Sequence, residues 1–133
     1  MNITYKNYKR LPRKISRLFP VLYEGMEIHC EGDEFCWAIM YEGDVVGCTY
    51  GTIEKIEIDK DGELRSEVCI FKFEVRKTWR KMGVGRALFN HIVEKYKPYK
   101  VTLNYLDIDA YNYWHHLGFK RVRGCELLQI KMK

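Results

Sequence analysis

The chain has 133 residues, of which 47% are hydrophobic, 31% charged and 14% aromatic, and its formal net charge is +5 at pH 7. A globular chain of this length can bury a core of its own, so we expect a single domain over residues 1–133. The charge favours anionic ligands but is smaller than that of a dedicated nucleic-acid-binding domain, and we therefore expect no nucleic-acid partner.

The cysteines and the apolar segments exclude several other classes of protein. No apolar run approaches the ~18 residues of a membrane span, and the N-terminal residues lack the apolar segment of a signal peptide. The cysteines form no C-x-x-C pair, and His115 and His116 have no third ligand at zinc spacing. We therefore predict a cytoplasmic protein with reduced, structural thiols, no metal and no membrane contact. The cysteines are Cys30, Cys36, Cys48, Cys69 and Cys125.

The first elements predicted along the chain are two short helices within an N-terminal helical region, residues 1–30. Apolar side chains recur at helical spacing from Leu11 to Leu22, Pro12 suits a helix start, and Pro20 divides the segment in two. The basic residues here are most simply the solvent-exposed face of those helices. Their alternative role is to bind nucleic acid, through Lys6, Lys9, Arg10, Arg13, Lys14 and Arg17.

An antiparallel meander of three strands follows. The apolar segments beginning at Phe35 and Val45 flank Glu42-Gly43-Asp44, a short hairpin loop that contains glycine, and Asp61-Gly62 marks a second hairpin. The third strand, from about Ser66 to Arg76, is apolar and long enough to lie at the centre of a sheet.

The second half of the chain alternates helices and strands. A helix is predicted from Val84 to Tyr96, closed by Pro98, and a second helix lies between the cap residue Asp107 and Gly118. The segment "KVTLNYL" between them predicts a strand, and "FKRV" and "ELLQIKM" predict a final strand pair. This order predicts an α/β fold of the α+β kind, with a mixed, largely antiparallel central sheet and flanking helices.

The turn before the helix at Val84 combines cations with glycines: Arg80 to Arg86 has the sequence RKMGVGR. A helix N-terminus exposes unpaired N–H groups and carries about +0.5 of a charge. Because glycines also let a ligand approach the main chain, the turn favours a phosphate ligand. It is not a Walker A loop or a dinucleotide-binding fingerprint, since the Gly-Lys-Ser/Thr end and the third glycine are missing. An ordinary strand-to-helix turn with exposed cations is the alternative.

Two motifs give this turn a family context. Val75 to Arg86 matches V-x-x-x-x-R-x-x-G-x-G-R and resembles the acetyl-CoA-binding motif R/Q-x-x-G-x-G/A of the GNAT superfamily of N-acetyltransferases. Downstream, "DAYNYWHHLGFKRV" resembles the second signature of that superfamily, N-x-x-A-x-x-x-Y-x-x-x-G-F, with Ala110, Gly118 and Phe119 in register. The resemblance covers Phe35 to Val122, and the N-terminal region corresponds to the variable helices that flank the acceptor site.

The resemblance implies direct transfer of an acetyl group from acetyl-CoA to a primary amine, with no acylated enzyme residue and no metal. It implies that two central strands splay apart, that the main chain of one binds the pantetheine arm, with the Val75 N–H near the thioester carbonyl, and that the glycine turn binds the pyrophosphate. It leaves the acceptor amine unidentified and allows a homodimer, since dimers are frequent among similar proteins. The implied cofactor-binding residues are Phe73, Glu74, Val75, Arg80, Lys81, Met82, Gly83, Val84, Gly85 and Arg86.

The sequence departs from the family pattern at the positions of the chemistry. Trp114 stands where a tyrosine usually protonates the leaving thiolate, and Cys69 and Thr102 stand where a glutamate base is found. Glu67 shares the two-residue period of Cys69 and Val75, provided that no bulge changes the register, and it is the candidate base.

The candidate proton donor is Tyr111, three residues before Trp114 on the predicted helix. A structural role is the alternative for Tyr111, as it is for Glu67. Tyr113 corresponds to a core leucine of the family and is discounted. Cys69 is interpreted as a small core residue, because no histidine accompanies it in the sequence to activate a nucleophile.

Two functions other than acetyl transfer stay open. The departures from the family pattern are compatible with a CoA-binding regulatory module that has lost the chemistry, which turnover of any amine would exclude. The basic N-terminal residues are compatible with a nucleic-acid-interacting protein, which would retain DNA or RNA in a salt-dependent way without affinity for CoA.

Overall fold

The structure, a computed structural model, describes residues 2–20, 27–57, 62, 64–104, 108–122 and 127–132. Within these ranges the α-helices are α1 (Arg13–Ser16), α2 (Val84–Tyr96) and α3 (Ile108–His116), and a 3-10 turn spans Lys77–Trp79. The strands are β1 (Ile3–Asn7), β2 (Glu34–Tyr41), β3 (Asp44–Glu57), β4 (Leu64–Val75), β5 (Lys100–Asn104), β6 (Lys120–Arg121) and β7 (Leu127–Lys131). None of the helices described is long and apolar enough to cross a membrane.

All of these strands belong to one seven-stranded sheet, in the order β1-β2-β3-β4-β5-β7-β6. Neighbouring strands are antiparallel except β4 and β5, which are parallel and are connected through α2. The predicted mixed, largely antiparallel sheet is therefore confirmed. The strand predicted to lie centrally is β4, which has three strands on either side of it.

The N-terminal region differs from the helical region predicted for residues 1–30. It begins with a strand, β1, which pairs antiparallel with β2 from Ile3↔Tyr41 to Asn7↔Trp37. The alternation of Ile3 and Tyr5 with polar residues is a weak strand signal that the helical interpretation overlooked. Only one of the predicted helices lies in the described residues, as the single turn α1. The second falls on residues 21–26, outside them.

Helix α2 begins and ends where the sequence predicts. Gly83 precedes it in the left-handed conformation, with φ of +80°. At the other end Lys97 is also left-handed, and its N–H donates to the Val93 carbonyl (2.8 Å) before Pro98. Leu88 and Ile92, one turn apart, are buried on the side that faces the sheet. The caps fix the bounds of the helix and this apolar stripe fixes its orientation.

The two faces of the sheet are covered differently. On one face, which we call the helix face, α2 and α3 pack over a core that includes Ile70, Ile92 and Trp114. On the opposite face, which we call the N-terminal face, Leu11 and Phe19 belong to a second core that covers β2 and β3. The side chains of the sheet therefore enter two separate cores, one on each face.

A β-bulge on β4 decides which side chains share a face. The register with β3 shifts so that Gly51 pairs with Ile70 and Tyr50 with Lys72, which leaves Phe71 without a partner on β3. Ile70 and Phe73 consequently both pack on the helix face, although three residues separate them. The assumption that Glu67 and Val75 face the same way was therefore wrong: Glu67 lies on the N-terminal face.

One titratable group is enclosed by aromatic rings near the edge of the sheet. The imidazole of His91 on α2 stacks on Tyr5 of β1 (centroids 4.0 Å apart, planes 4° apart) and meets the edge of Trp37 (4.5 Å, 69°). Its Nε2 atom is buried without a hydrogen-bond partner among the described residues. Burial, and then the charge of Lys95, lower the pKa of His91 below its usual 6.5.

We expect this histidine to make folding weaker in mild acid. Because its pKa is lower in the folded state, the unfolded chain binds more protons, and the free energy of unfolding falls as the pH drops through about 6.5 toward the folded-state pKa. One proton limits the slope to about 1.4 kcal/mol per pH unit. Urea denaturation between pH 7.5 and 5.5 measures it, and His91→Phe, which keeps a ring but cannot titrate, should flatten the dependence. An equal slope in both proteins would contradict the assignment.

Candidate active site

A gap opens in the middle of the sheet, where β4 and β5 stop pairing. Their register runs from Glu67↔Lys100 to Ile70↔Leu103, and β4 then continues to Val75. In the described part of the chain no strand pairs with Phe71–Val75 on the β5 side. Among the described residues, β4 and β5 thus stop pairing after Ile70↔Leu103, as the splay implied by the family resemblance requires.

The main chain of β4 points alternate residues into this gap. The Arg76 N–H donates to the Val46 carbonyl of β3 (2.9 Å), and the Lys72 carbonyl accepts from Thr49 Oγ1, which is also on β3 (2.8 Å). Because N–H and C=O groups alternate sides along an antiparallel strand, those of Phe73 and Val75 point away from β3, toward the gap. These two residues therefore present the main-chain groups that the resemblance assigns to pantetheine.

Two members of the predicted cofactor set have different surroundings. Glu74 directs its main chain toward β3, and its carboxylate is buried, 4.0 Å from the guanidinium of Arg80. Arg80 also donates from Nε to the Val75 carbonyl (3.0 Å), which ties the turn back to the end of β4. Their geometry fits a role in shaping the turn, with cofactor contact left to their neighbours.

The N-terminus of α2 lies directly beyond β4 and is uncapped. Within the described part of the chain, no side chain caps it with a hydrogen bond, and no acidic residue lies in its first turn. Lys81, Met82, Gly83 and Arg86 are exposed, and a Cβ at Gly83 would meet nothing within 4 Å. The unpaired N–H groups of the first turn, from Val84 onward, are therefore accessible beside two cations, which suits an anionic ligand.

Gly85 differs from Gly83 because another element packs against it. It is buried in the first turn of α2, and a Cβ there would overlap the hydroxyl of Tyr113 from α3 and lie 3.6 Å from Cγ2 of Val75. Gly85 therefore lets α3 and β4 approach the helix N-terminus closely. The sequence suggested that Gly85 lies open to the ligand, whereas it is buried against α3 and the end of β4.

The structure places Trp114 and Tyr113 differently from what the family pattern suggests. Trp114 is 5% exposed and meets the edges of Phe73 (4.8 Å) and Phe119 (5.3 Å), so it is a core residue. Tyr113, expected in the core, is 41% exposed and reaches the N-terminus of α2. Sequence comparison missed it because the bulky Trp114 decides which side of α3 enters the core. The adjacent Tyr-Trp pair was the available signal.

A polar cluster occupies the N-terminal face where β4 and β5 still pair. Thr102 Oγ1 lies 3.3 Å from Glu67 Oε1 and 3.4 Å from Cys69 Sγ, and Lys100 Nζ lies 3.8 Å from the same carboxylate oxygen. Burial raises the pKa of the Cys69 thiol, which disfavours a nucleophilic thiolate at neutral pH. One carboxylate oxygen each of Glu54 and Glu67 and the Sγ of Cys69, atoms that can bind a metal ion, lie within 4.8 Å of one another.

Glu67 and Tyr111, the predicted base and acid, lie on opposite faces of the sheet. Tyr111 is half-buried against the core of the helix face and stacks on the ring of His115 (5.7 Å, 7°). The structure thus gathers Phe73, Val75 and the N-terminus of α2 around the gap, with Glu67 beside it on the other face. Glu67 and Tyr111 do not contact each other, and as an acid–base pair they would have to act from different sides of the transferred group.

Comparisons with known proteins agree with this architecture. The E. coli protein YhhK bound to coenzyme A superposes with a TM-score of 0.74 at 13% identity, over 99% of this chain and 100% of that one. Arabidopsis thaliana NAA60 in complex with acetyl-CoA gives 0.70 at 20% identity, over 98% and 99% of the chains. The KacTA–DNA complex gives 0.68 at 14% identity, over 98% and 93%. A search of curated protein sequences found no match.

A family model described as "Acetyltransferase (GNAT) family" matches residues 5–119, which include the end of β1, the gap, the glycine turn and α3. The chain therefore belongs to the GNAT family of acetyltransferases.

Proposed function

We propose that this protein transfers an acetyl group from acetyl-CoA to a primary amine. The observation that carries the proposal is the uncapped N-terminus of α2 beside the gap in the sheet. An anionic cofactor with an extended, amide-containing arm fits both features at once, because the helix N-terminus suits phosphate and the strand suits amides. Four of the protein's cysteines are described, and none of these four forms a disulfide, which supports a cytoplasmic location as part of the same proposal.

In this proposal the chain holds acetyl-CoA mainly through its backbone. The pyrophosphate lies against N–H groups from Lys81 to Arg86, and the side chains of Lys81 and Arg86 add positive charge. The pantetheine amides pair with the main chain of Phe73 and Val75. No metal takes part in this scheme.

The same backbone would stabilise the transition state. Attack of a neutral amine on the thioester places negative charge on the carbonyl oxygen. The family resemblance assigns the Val75 N–H as the hydrogen-bond donor to that oxygen. A preorganised backbone dipole stabilises this charge without moving. The chemistry therefore requires only that the amine arrive deprotonated and that the departing thiolate be tolerated or protonated.

Glu67 is the proposed base. It lies on the N-terminal face, where the N-terminal region would flank the acceptor, and its carboxylate is held by Thr102 and Lys100. Because Glu67 pairs with β5 at Lys100, several residues before Val75, we expect it to act through a water molecule.

Tyr111 is the proposed donor to the thiolate. Tyr111→Phe should lower kcat about 10²-fold with little change in the KM for acetyl-CoA, because a proton donor acts in the chemical step. Steady-state kinetics with both proteins measures the split. Equal kcat values would mean that the thiolate leaves unprotonated or takes its proton from water.

A CoA-binding module without turnover is the second candidate function. Two observations favour it: Trp114 is buried in the core where the family has its acid, and the Cys69 thiol occupies the position of a base. Free-thiol release from acetyl-CoA with a panel of amines decides between the two functions. Amine-dependent release supports the transferase, whereas CoA binding without release from any amine supports the regulatory module.

A further inference from the structure

The phenol of Tyr113, on α3, reaches the N-terminus of α2. Its ring stands edge-on to Trp114 (5.1 Å, 78°), which is itself fixed in the core, and its hydroxyl lies over the bare Cα of Gly85. A polar group from α3 therefore lies against the first turn of α2.

This hydroxyl has no hydrogen-bond partner among the described residues. Burial raises the pKa of Tyr113, and the nearby charge of Arg86 offsets only part of that effect. At neutral pH the group is thus an uncharged O–H, able to donate, at a place that already favours anions. A donor without a protein partner, beside an uncapped helix N-terminus, is available to a ligand that supplies an acceptor oxygen.

We propose that the Tyr113 hydroxyl completes the phosphate site by donating a hydrogen bond to an anionic oxygen of the cofactor pyrophosphate. This inference rests on the proposed binding of acetyl-CoA. The hydroxyl lies against the first turn of α2, beside Gly85 and near the charge of Arg86, where the pyrophosphate is assigned. Val75, whose N–H is assigned to the thioester, also approaches this glycine, with Cγ2 3.6 Å from where a Gly85 Cβ would lie. The alternative, that the phenol protonates the thiolate, is an outcome of the test.

The test compares wild type, Tyr113→Phe and a matched control. Tyr113→Phe removes one oxygen and keeps the ring against Trp114, so the fold should persist. The control, Tyr99→Phe, removes a phenol oxygen beyond the other end of α2, which is about 20 Å long. Isothermal titration with CoA and steady-state kinetics with acetyl-CoA are measured on all three proteins.

Tyr113→Phe should weaken CoA binding about tenfold or more, as expected for a lost hydrogen bond to a charged group, and raise the KM for acetyl-CoA with kcat nearly unchanged. Tyr99→Phe should bind CoA like wild type. Unchanged affinity in Tyr113→Phe overturns this inference alone, and a fall in kcat at unchanged affinity assigns the phenol to the thiolate instead. A wild-type protein that does not bind CoA overturns the proposed function as well.

A double substitution tests the placement of the hydroxyl without any ligand. A Cβ at Gly85 would overlap that oxygen and lie 3.3 Å from Cζ of Tyr113. Gly85→Ala should therefore lower the melting temperature more in the wild-type background than in Tyr113→Phe, where the overlapping atom is absent. Equal decreases in the two backgrounds would show that the hydroxyl is not at Gly85.

Discussion

Glu67→Gln is expected to remove most turnover at neutral pH, by about 10²-fold or more, while acetyl-CoA binding stays unchanged. The carboxylate is 12% exposed and accepts a hydrogen bond from Thr102, which a glutamine oxygen can also accept. The variant is nearly isosteric, and the cofactor is held by other residues. Loss of rate would therefore report the loss of a base.

The pH profile separates this role from a structural one. With a working base the rate should reach a plateau near neutral pH, whereas the residual rate of Glu67→Gln should keep rising as free amine accumulates toward an amine pKa of about 10.4. Glu54→Gln is the matched control, because Glu54 pairs with Glu67 across β3 and β4 but is exposed. A Glu67→Gln enzyme with the rate and profile of the parent would exclude Glu67 as the base.

Gly85→Val is expected to weaken CoA binding at least about tenfold, or about 1.4 kcal/mol. Branched carbon at this position would displace the Tyr113 hydroxyl and press on Val75, so the helix N-terminus, α3 and the end of β4 could not keep their present spacing. The effect is large because α2, α3 and the end of β4 pack closely at Gly85, where there is room only for a hydrogen side chain.

Because Gly85 is buried, folding has to be measured beside binding. Circular dichroism and urea denaturation establish the folded fraction, and calorimetry with CoA then gives the affinity of the folded protein. Gly85→Ala should have the same effect in a weaker form. A folded Gly85→Val protein with wild-type affinity would show that the first turn of α2 does not bind the cofactor.

Local signals made part of the fold predictable. Gly83 and Pro98 mark the ends of α2, and the apolar stripe between them sets its orientation, because caps and periodicity act over one or two turns. The long apolar run of β4 likewise predicted a central strand, since a strand covered on both sides needs few polar residues. The glycine turn could be predicted only in part, because Gly83 has the left-handed φ that favours glycine, whereas Gly85 is helical and is required by the packing of Tyr113.

The positions that decide the chemistry depend on packing between distant segments. Nothing near Phe71 marks a bulge, which arises from the register between β3 and β4, so the face of Glu67 relative to Val75 could not be predicted. Tyr113 is exposed because Trp114 fills the core beside Phe73 on another strand. Both features depend on contacts between residues far apart in the sequence, so the spacing of residues along the chain cannot predict them.

Binding of CoA at the helix N-terminus is the central claim, and an NMR titration of the ¹⁵N-labelled protein with CoA tests it most directly. We predict the largest amide shifts at Phe73, Val75 and the residues from Lys81 to Arg86, because their N–H groups point into the gap or out of the uncapped first turn. Lys97, at the opposite end of α2, should not shift. An absence of shifts, or shifts confined to the basic residues of the N-terminal region, would contradict the account.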